Sequence, residues 1–152
     1  MQEICSNAAT FLQSLFDGAG LDLKVTVKES AAECLLDLSG PDAGLLQAEG
    51  AELLQALQHL MTQAFGRSLP EGQRIVCDVE GFRATREAEL RAMANLAAER
   101  VRSSGTPFLF GEMNSNERRI IHLTLADVDD LLTESVGEGS ARKLKVSLKP
   151  SK

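Results

Sequence analysis

The chain has 152 residues, enough for one ordinary domain or two very small ones, each with a modest core. With 43% hydrophobic and 25% charged residues its composition is that of a soluble globular protein, and the lack of tryptophan and tyrosine argues against large base-stacking platforms. The net charge of −6 is unevenly spread: residues 1–80 carry four Lys/Arg against twelve Asp/Glu, net −8, and residues 81–152 carry twelve against ten, net +2, so only the second half can attract a polyanion.

Ile4, Ala8, Phe11, Leu12, Leu15 and Phe16 recur at helical spacing and predict a first helix ending at Asp17-Gly18-Ala19-Gly20, where glycine takes the left-handed cap. Glu3 precedes this stretch without a basic leader, and no apolar run approaches the ~20 residues needed to span a bilayer, so a cytoplasmic protein with no membrane insertion is expected. Leu23, Val25 and Val27 alternate with polar residues, as do Cys34, Leu36 and Leu38, which predicts a hairpin with one buried face. Ser39-Gly40-Pro41-Asp42 breaks the strand, and a short turn of helix precedes a longer amphipathic helix marked by Leu53, Leu57, Leu60, Met61, Ala64 and Phe65. Ile75, Cys77 and Val79 form a third strand, so residues 1–80 read as an α+β domain with helices on one side of a three-stranded sheet.

Residues 81–152 form a second unit. Phe82 opens a long helix whose Leu90, Met93, Ala94, Ala97 and Val101 face inward and which ends at Ser103-Ser104-Gly105-Thr106-Pro107. A strand near residues 108–110, a helix over 114–126, and strands holding Leu131 to Val136 and Leu144, Val146 and Leu148 around the turn Gly137-Glu138-Gly139 complete it: two helices with a three-stranded sheet. Cys5, Cys34 and Cys77 are an odd set with no Cys-x-x-Cys, and there are only two histidines, so reduced core thiols are expected and no metal site.

The most informative segment is Glu117-Arg118-Arg119-Ile120-Ile121-His122. On a helix Arg118, Ser115, His122 and Arg119 fall within roughly a 100° arc, with Ile120, Ile121, Leu123 and Leu125 outside it. Such a helix shows a narrow cationic strip suited to phosphate oxygens, because a planar guanidinium offers two parallel hydrogen bonds that lysine cannot reproduce. The ordinary alternative is a salt-bridged surface in which Glu117 or Glu112 neutralises Arg118. Arg142 and Lys143 lead into the last strand and extend the positive surface, and Arg142, Lys143, Lys145, Lys149 and Lys152 are the densest run of positive charge. His59 reads as a helix-surface residue. Ser135 with His122 lacks the glycine pattern of a nucleophile elbow, and Gly137-Glu138-Gly139 lacks the helix and lysine of a phosphate loop, so no enzyme and no cofactor are read.

With these residues in view the chain resembles the Jag family of bacterial proteins, also called SpoIIIJ-associated or KhpB proteins. They join a type II KH domain to a small R-three-H domain, named for an arginine and a histidine separated by three residues. The resemblance runs through Asp78-Val79-Glu80-Gly81-Phe82-Arg83, Arg86-Glu87-Ala88-Glu89-Leu90, Met113-Asn114, Glu117 to His122, Thr133-Glu134-Ser135 and Gly137-Glu138-Gly139, and Arg118 and His122 occupy the naming positions. It implies an α+β fold with a KH-like domain at 1–80 and an R-three-H-like domain at 81–152. It also implies binding of single-stranded RNA or DNA with Arg118 and His122 at the motif positions, and pairing with a small KH-domain protein. Arg119, by its place on the arc, and Arg142 and Lys143, by their place before the last strand, are expected as further contacts, and self-association through the KH half is a further expectation. The amino-terminal Jag domain of many members is expected to be absent, since the chain starts at the first KH helix.

One departure touches the KH loop, which in the family has two glycines flanking two residues, commonly basic. Here it reads Gln47-Ala48-Glu49-Gly50. Glycines let backbone N–H groups approach phosphates, so the loss of one and the acidic Glu49 predict a degenerate loop in a half kept for packing or protein contacts. The competing function is therefore a protein-interaction adaptor whose RNA binding is weak or lost.

Overall fold

The computed structural model describes residues 2–150 and divides into two compact units, Met1–Arg83 and Ala84–Lys152. Among the described residues there are four α-helices and two three-stranded sheets, the α+β arrangement of a KH-like unit followed by an R-three-H-like unit.

The first unit runs α1 (Gln2–Ala19), β1 (Lys24–Glu29), β2 (Glu33–Ser39), α2 (Ala43–Phe65) and β3 (Arg74–Val79). The sheet order is β1-β2-β3, antiparallel between β1 and β2 and parallel between β2 and β3, with α2 as the crossover. Strict alternation buries Cys34, Leu36 and Leu38 beneath Leu12 and Phe16 of α1 and Leu54 and Met61 of α2. The apolar stripes of the helices are wider than this core, so Phe11, Leu15, Leu53 and Leu60 stay about 40% exposed. At Gly40 a side chain would collide with the carbonyl oxygen of Asp22, so only glycine allows the chain to turn there.

Two glutamines finish the sheet. Gln13 of α1 accepts a hydrogen bond from the N–H of Val25 (3.0 Å) and donates to the carbonyl of Leu23 (2.8 Å). Gln58 of α2 does the same on β3, accepting from the N–H of Cys77 (2.8 Å) and donating to the carbonyl of Ile75 (2.8 Å).

The cysteines correct the sequence reading in part. Cys77 is a free buried thiol, which burial pushes up to about 11 while the nearby Arg83 charge opposes the shift. Cys5 and Cys34, expected as separate thiols, have their sulfurs paired. The reason is packing: α1 lies on the face from which Cys34 projects, and the two Cα atoms come within 6.0 Å, inside disulfide reach.

Helix α2 is interrupted at residues 48–51, where the sequence reading placed the loop, in agreement with a short helix followed by a longer one. Ala48 is extended, and Glu49, Gly50 and Ala51 are left-handed, with φ of 51°, 69° and 60°. Gln47, the position at which the resemblance implies a glycine, is not among the non-helical residues and needs no glycine. The conformational cost falls instead on Glu49 and Ala51, at about 1 kcal/mol or more each.

In the second unit α3 (Phe82–Ser104) leads to β4 (Phe108–Leu109), α4 (Ser115–Leu125), β5 (Leu131–Val136) and β6 (Lys143–Leu148). The sheet order is β4-β6-β5, all antiparallel. Leu90, Ala94, Ala97, Ala98 and Val101 of α3 pack with Ile121 and Leu125 of α4 and with Leu144 and Val146 of β6. Met93, expected inside, is exposed: the 90, 94, 97, 101 repeat leaves it one step off the buried stripe. Leu123 likewise faces outward, at 58% exposure. Arg102 grips Asp130 with two bonds of 2.8 Å, and Arg100 lies over the ring of Phe108.

Candidate nucleic-acid interface

The site is built on the start of α4. Asn114 is its N-cap, accepting a hydrogen bond from the N–H of Glu117 (2.9 Å), while the Glu117 carboxylate accepts one from the N–H of Asn114 (3.2 Å). This reciprocal box satisfies two otherwise orphaned donors and sets where the helix begins. The other carboxylate oxygen of Glu117 accepts from Nε of Arg86 on α3 (2.8 Å), and Arg86 also donates to Glu89 (3.1 Å). Burial works against the charge on Arg86, but its bonds to Glu117 and Glu89 outweigh that penalty and raise its pKa above the usual guanidinium value.

Glu117 is buried and turned to α3, so it does not neutralise Arg118. Arg118 instead donates from Nη1 to the carbonyl of Met113 (2.6 Å) and, more weakly, to that of Arg142 (3.4 Å). These neutral partners hold the guanidinium in place without cancelling its charge. Nδ1 of His122 is hydrogen-bonded to the Thr133 hydroxyl. When the hydroxyl donates, the ring proton sits on Nε2 and Nε2–H can donate to a ligand; in the other neutral tautomer Nδ1–H donates to Thr133 and Nε2 accepts.

Ser115, Arg118, Arg119, His122, Thr133, Ser135, Arg142 and Leu144 line one cleft of about 340 Å³. No carboxylate lines it, and among the described residues none of its three arginines is in an ion pair with an acid. The N-terminal end of α4, at Ser115, adds the positive end of the helix dipole.

The cleft thus gathers Arg118, Arg119, His122 and Arg142, four of the five cationic or histidine residues read from the sequence. Lys143 is left out. Its neighbour Leu144 faces the cleft, so strand alternation sends Lys143 to the opposite face of the sheet. Lys152 lies outside the described residues, and the loop Gln47, Ala48, Glu49 and Gly50 belongs to the first unit. Sequence reasoning missed Thr133 and Ser135 as cleft residues. The available signal was the pattern Leu131, Thr133, Ser135 on the inward face of β5, where polar side chains interrupt an apolar alternation. Ser135 and His122 share the cleft, but the partner of Nδ1 is a hydroxyl and not a carboxylate, which is not the arrangement of a nucleophilic triad. Among the described residues no group of three or more His, Cys, Asp or Glu is placed to hold a metal ion, and no helix is long and apolar enough to cross a membrane.

The profile of the R-three-H domain matches residues 88–148. The chain is 31% identical over 144 residues to RNA-binding protein KhpB of Clostridium symbiosum, covering 93% of this chain and 65% of that protein. It is also 31% identical over 144 residues to RNA-binding protein KhpB of Bacillus subtilis, covering 93% and 69%. A third relative, RNA-binding protein KhpB of Lactiplantibacillus plantarum, is 29% identical over 106 residues, which is 33% of its length. The chain therefore spans about two thirds of the first two relatives.

Proposed function

The chain belongs to the KhpB family, and on that premise we propose that it is a cytoplasmic, non-enzymatic protein that binds single-stranded RNA through the cleft of its second unit. The observation that carries this reading is the convergence of three guanidiniums and an imidazole on a cleft lined by no acid. Arg118 and His122 make the central phosphate contacts, flanked by Arg119 and Arg142. Positioned donors with no counter-charge suit a phosphate backbone, which offers acceptors and negative charge at every step.

The test is a salt titration of a fluorescent single-stranded RNA against the wild-type chain and Arg118→Ala/His122→Ala. With two to four phosphates neutralised, the logarithmic salt slope is expected at roughly −1.5 to −3, and each lost contact removes about 0.7. A slope unchanged in the double variant excludes the cleft as the contact site.

A second reading, a protein-interaction adaptor, is favoured by the helical layer of the first unit. Helices α1 and α2 contain Glu3, Asp17, Glu49 and Glu52 but no lysine or arginine, and they expose Phe11, Leu15, Leu53 and Leu60. That face suits a protein better than a polyanion, whether a small KH-domain protein or a second copy of the chain. Co-purification of such a partner, with no RNA crosslinks on α4, would favour this reading over the first.

A further inference from the structure

We propose that the cleft reads the sugar as well as the phosphate, with Ser135 as the residue that selects ribose over deoxyribose. The inference rests on the RNA reading of the cleft and adds its substrate class.

Arg118, Arg119 and Arg142 donate only, His122 presents Nε2–H when its Nδ1 accepts from Thr133, and Leu144 is apolar. The Thr133 hydroxyl is engaged by His122, and the carbonyls of Met113 and Arg142 are engaged by Arg118. A phosphodiester needs nothing beyond those donors. The lining nevertheless includes Ser115 and Ser135, exposed residues whose hydroxyls both donate and accept. In a cleft dominated by donors, hydroxyls that also accept match a ligand that carries a donor of its own, and on a nucleic-acid backbone that group is the ribose 2′-hydroxyl.

Placement distinguishes Ser135 from Ser115. Thr133 and Ser135 are alternate residues of β5 on one face, opposite Val146 and Leu144, about 7 Å apart along the strand. His122 sits at Thr133, and Arg142 lies just beyond the Val136–Lys143 pair at the other end. Along the strand Ser135 therefore lies between the position of His122 and that of Arg142, as a ribose lies between its two phosphates. Leu144, directly across from Ser135, supplies an apolar floor for sugar carbons.

The experiment measures binding of the full chain to three oligonucleotides of one sequence, made as RNA, DNA and 2′-O-methyl RNA. Wild type is expected to bind RNA about three- to tenfold more tightly than DNA, the worth of one hydrogen bond, with the 2′-O-methyl strand close to DNA. Ser135→Ala is expected to bring RNA down to the DNA level, so that the RNA-to-DNA affinity ratio falls to about one, and Ser115→Ala to change the ratio less. Equal wild-type binding of RNA and DNA, or a ratio that survives Ser135→Ala, overturns the inference while leaving the phosphate reading intact. If Arg118→Ala alters neither strand, the phosphate reading falls and the ribose reading with it.

Discussion

The two units share a construction, helices laid on a three-stranded sheet, but distribute charge in opposite ways. The helices of the first carry four carboxylates and no lysine or arginine, whereas the cleft of the second presents three arginines and no carboxylate. Net charge alone hides this contrast. The second unit achieves it by pairing acids away from the cleft: Glu117 with Arg86, Asp130 with Arg102, Glu134 with Lys145. Local structure diverges in the same sense. The loop at Ala48–Ala51 keeps an irregular backbone but lacks the cations that would use it, while the turn before α4 is closed by a reciprocal cap and sits at a cationic cleft.

The largest separation of the units is expected at alkaline pH, because all three cysteines lie in the first. Cys77 titrates at about 11 in the fold against a reference of 9.0, so its stabilisation is complete below the unfolded value and is lost as pH rises through about 11. Urea midpoints at pH 8 and pH 10.5 should fall by the equivalent of about 2 kcal/mol more in wild type than in Cys77→Ala. A parallel fall in both would remove the thiol as the cause.

Next in size is Arg86→Met, which leaves the buried Glu117 carboxylate without its ion pair. Because Arg86 is itself partly exposed, a loss of about 1.5 kcal/mol is expected in thermal melts, and adding Glu117→Gln should recover part of it. Arg142→Glu places an acid in the cleft and should weaken RNA binding about tenfold, while Glu52→Arg on α2 changes it less than twofold. The smallest effect is the most diagnostic: Gln47→Gly/Glu49→Lys should raise RNA affinity only two- to threefold by fluorescence anisotropy. A gain exceeding the loss in Arg142→Glu would erase the contrast between the units.

Elements with clean periodicity were legible in the sequence: α1, the β1–β2 hairpin, β3, α4 and the strand pair β5–β6 all follow their apolar spacing. The arc of Ser115, Arg118, Arg119 and His122 was legible too, because it depends only on helical geometry. What escaped depends on contacts between distant segments. The turn of Glu117 toward Arg86 follows from packing of α4 on α3, although Asn114-x-x-Glu117 was readable as a capping box. Lys143 was grouped with Arg142 by adjacency, and strand alternation separates them. The meeting of Cys5 with Cys34, 29 residues apart, has no local signature.

Gln13 and Gln58 carry a consequence for life at high concentration. An edge strand with unpaired peptide groups invites a strand from another molecule, the first step of sheet-mediated aggregation. In the first unit each outer margin is already met by an amide tethered to the helix above it, on β1 by Gln13 and on β3 by Gln58. An intruding chain must dislodge that amide before it can add, so recruitment at either border of this sheet meets a barrier at its middle.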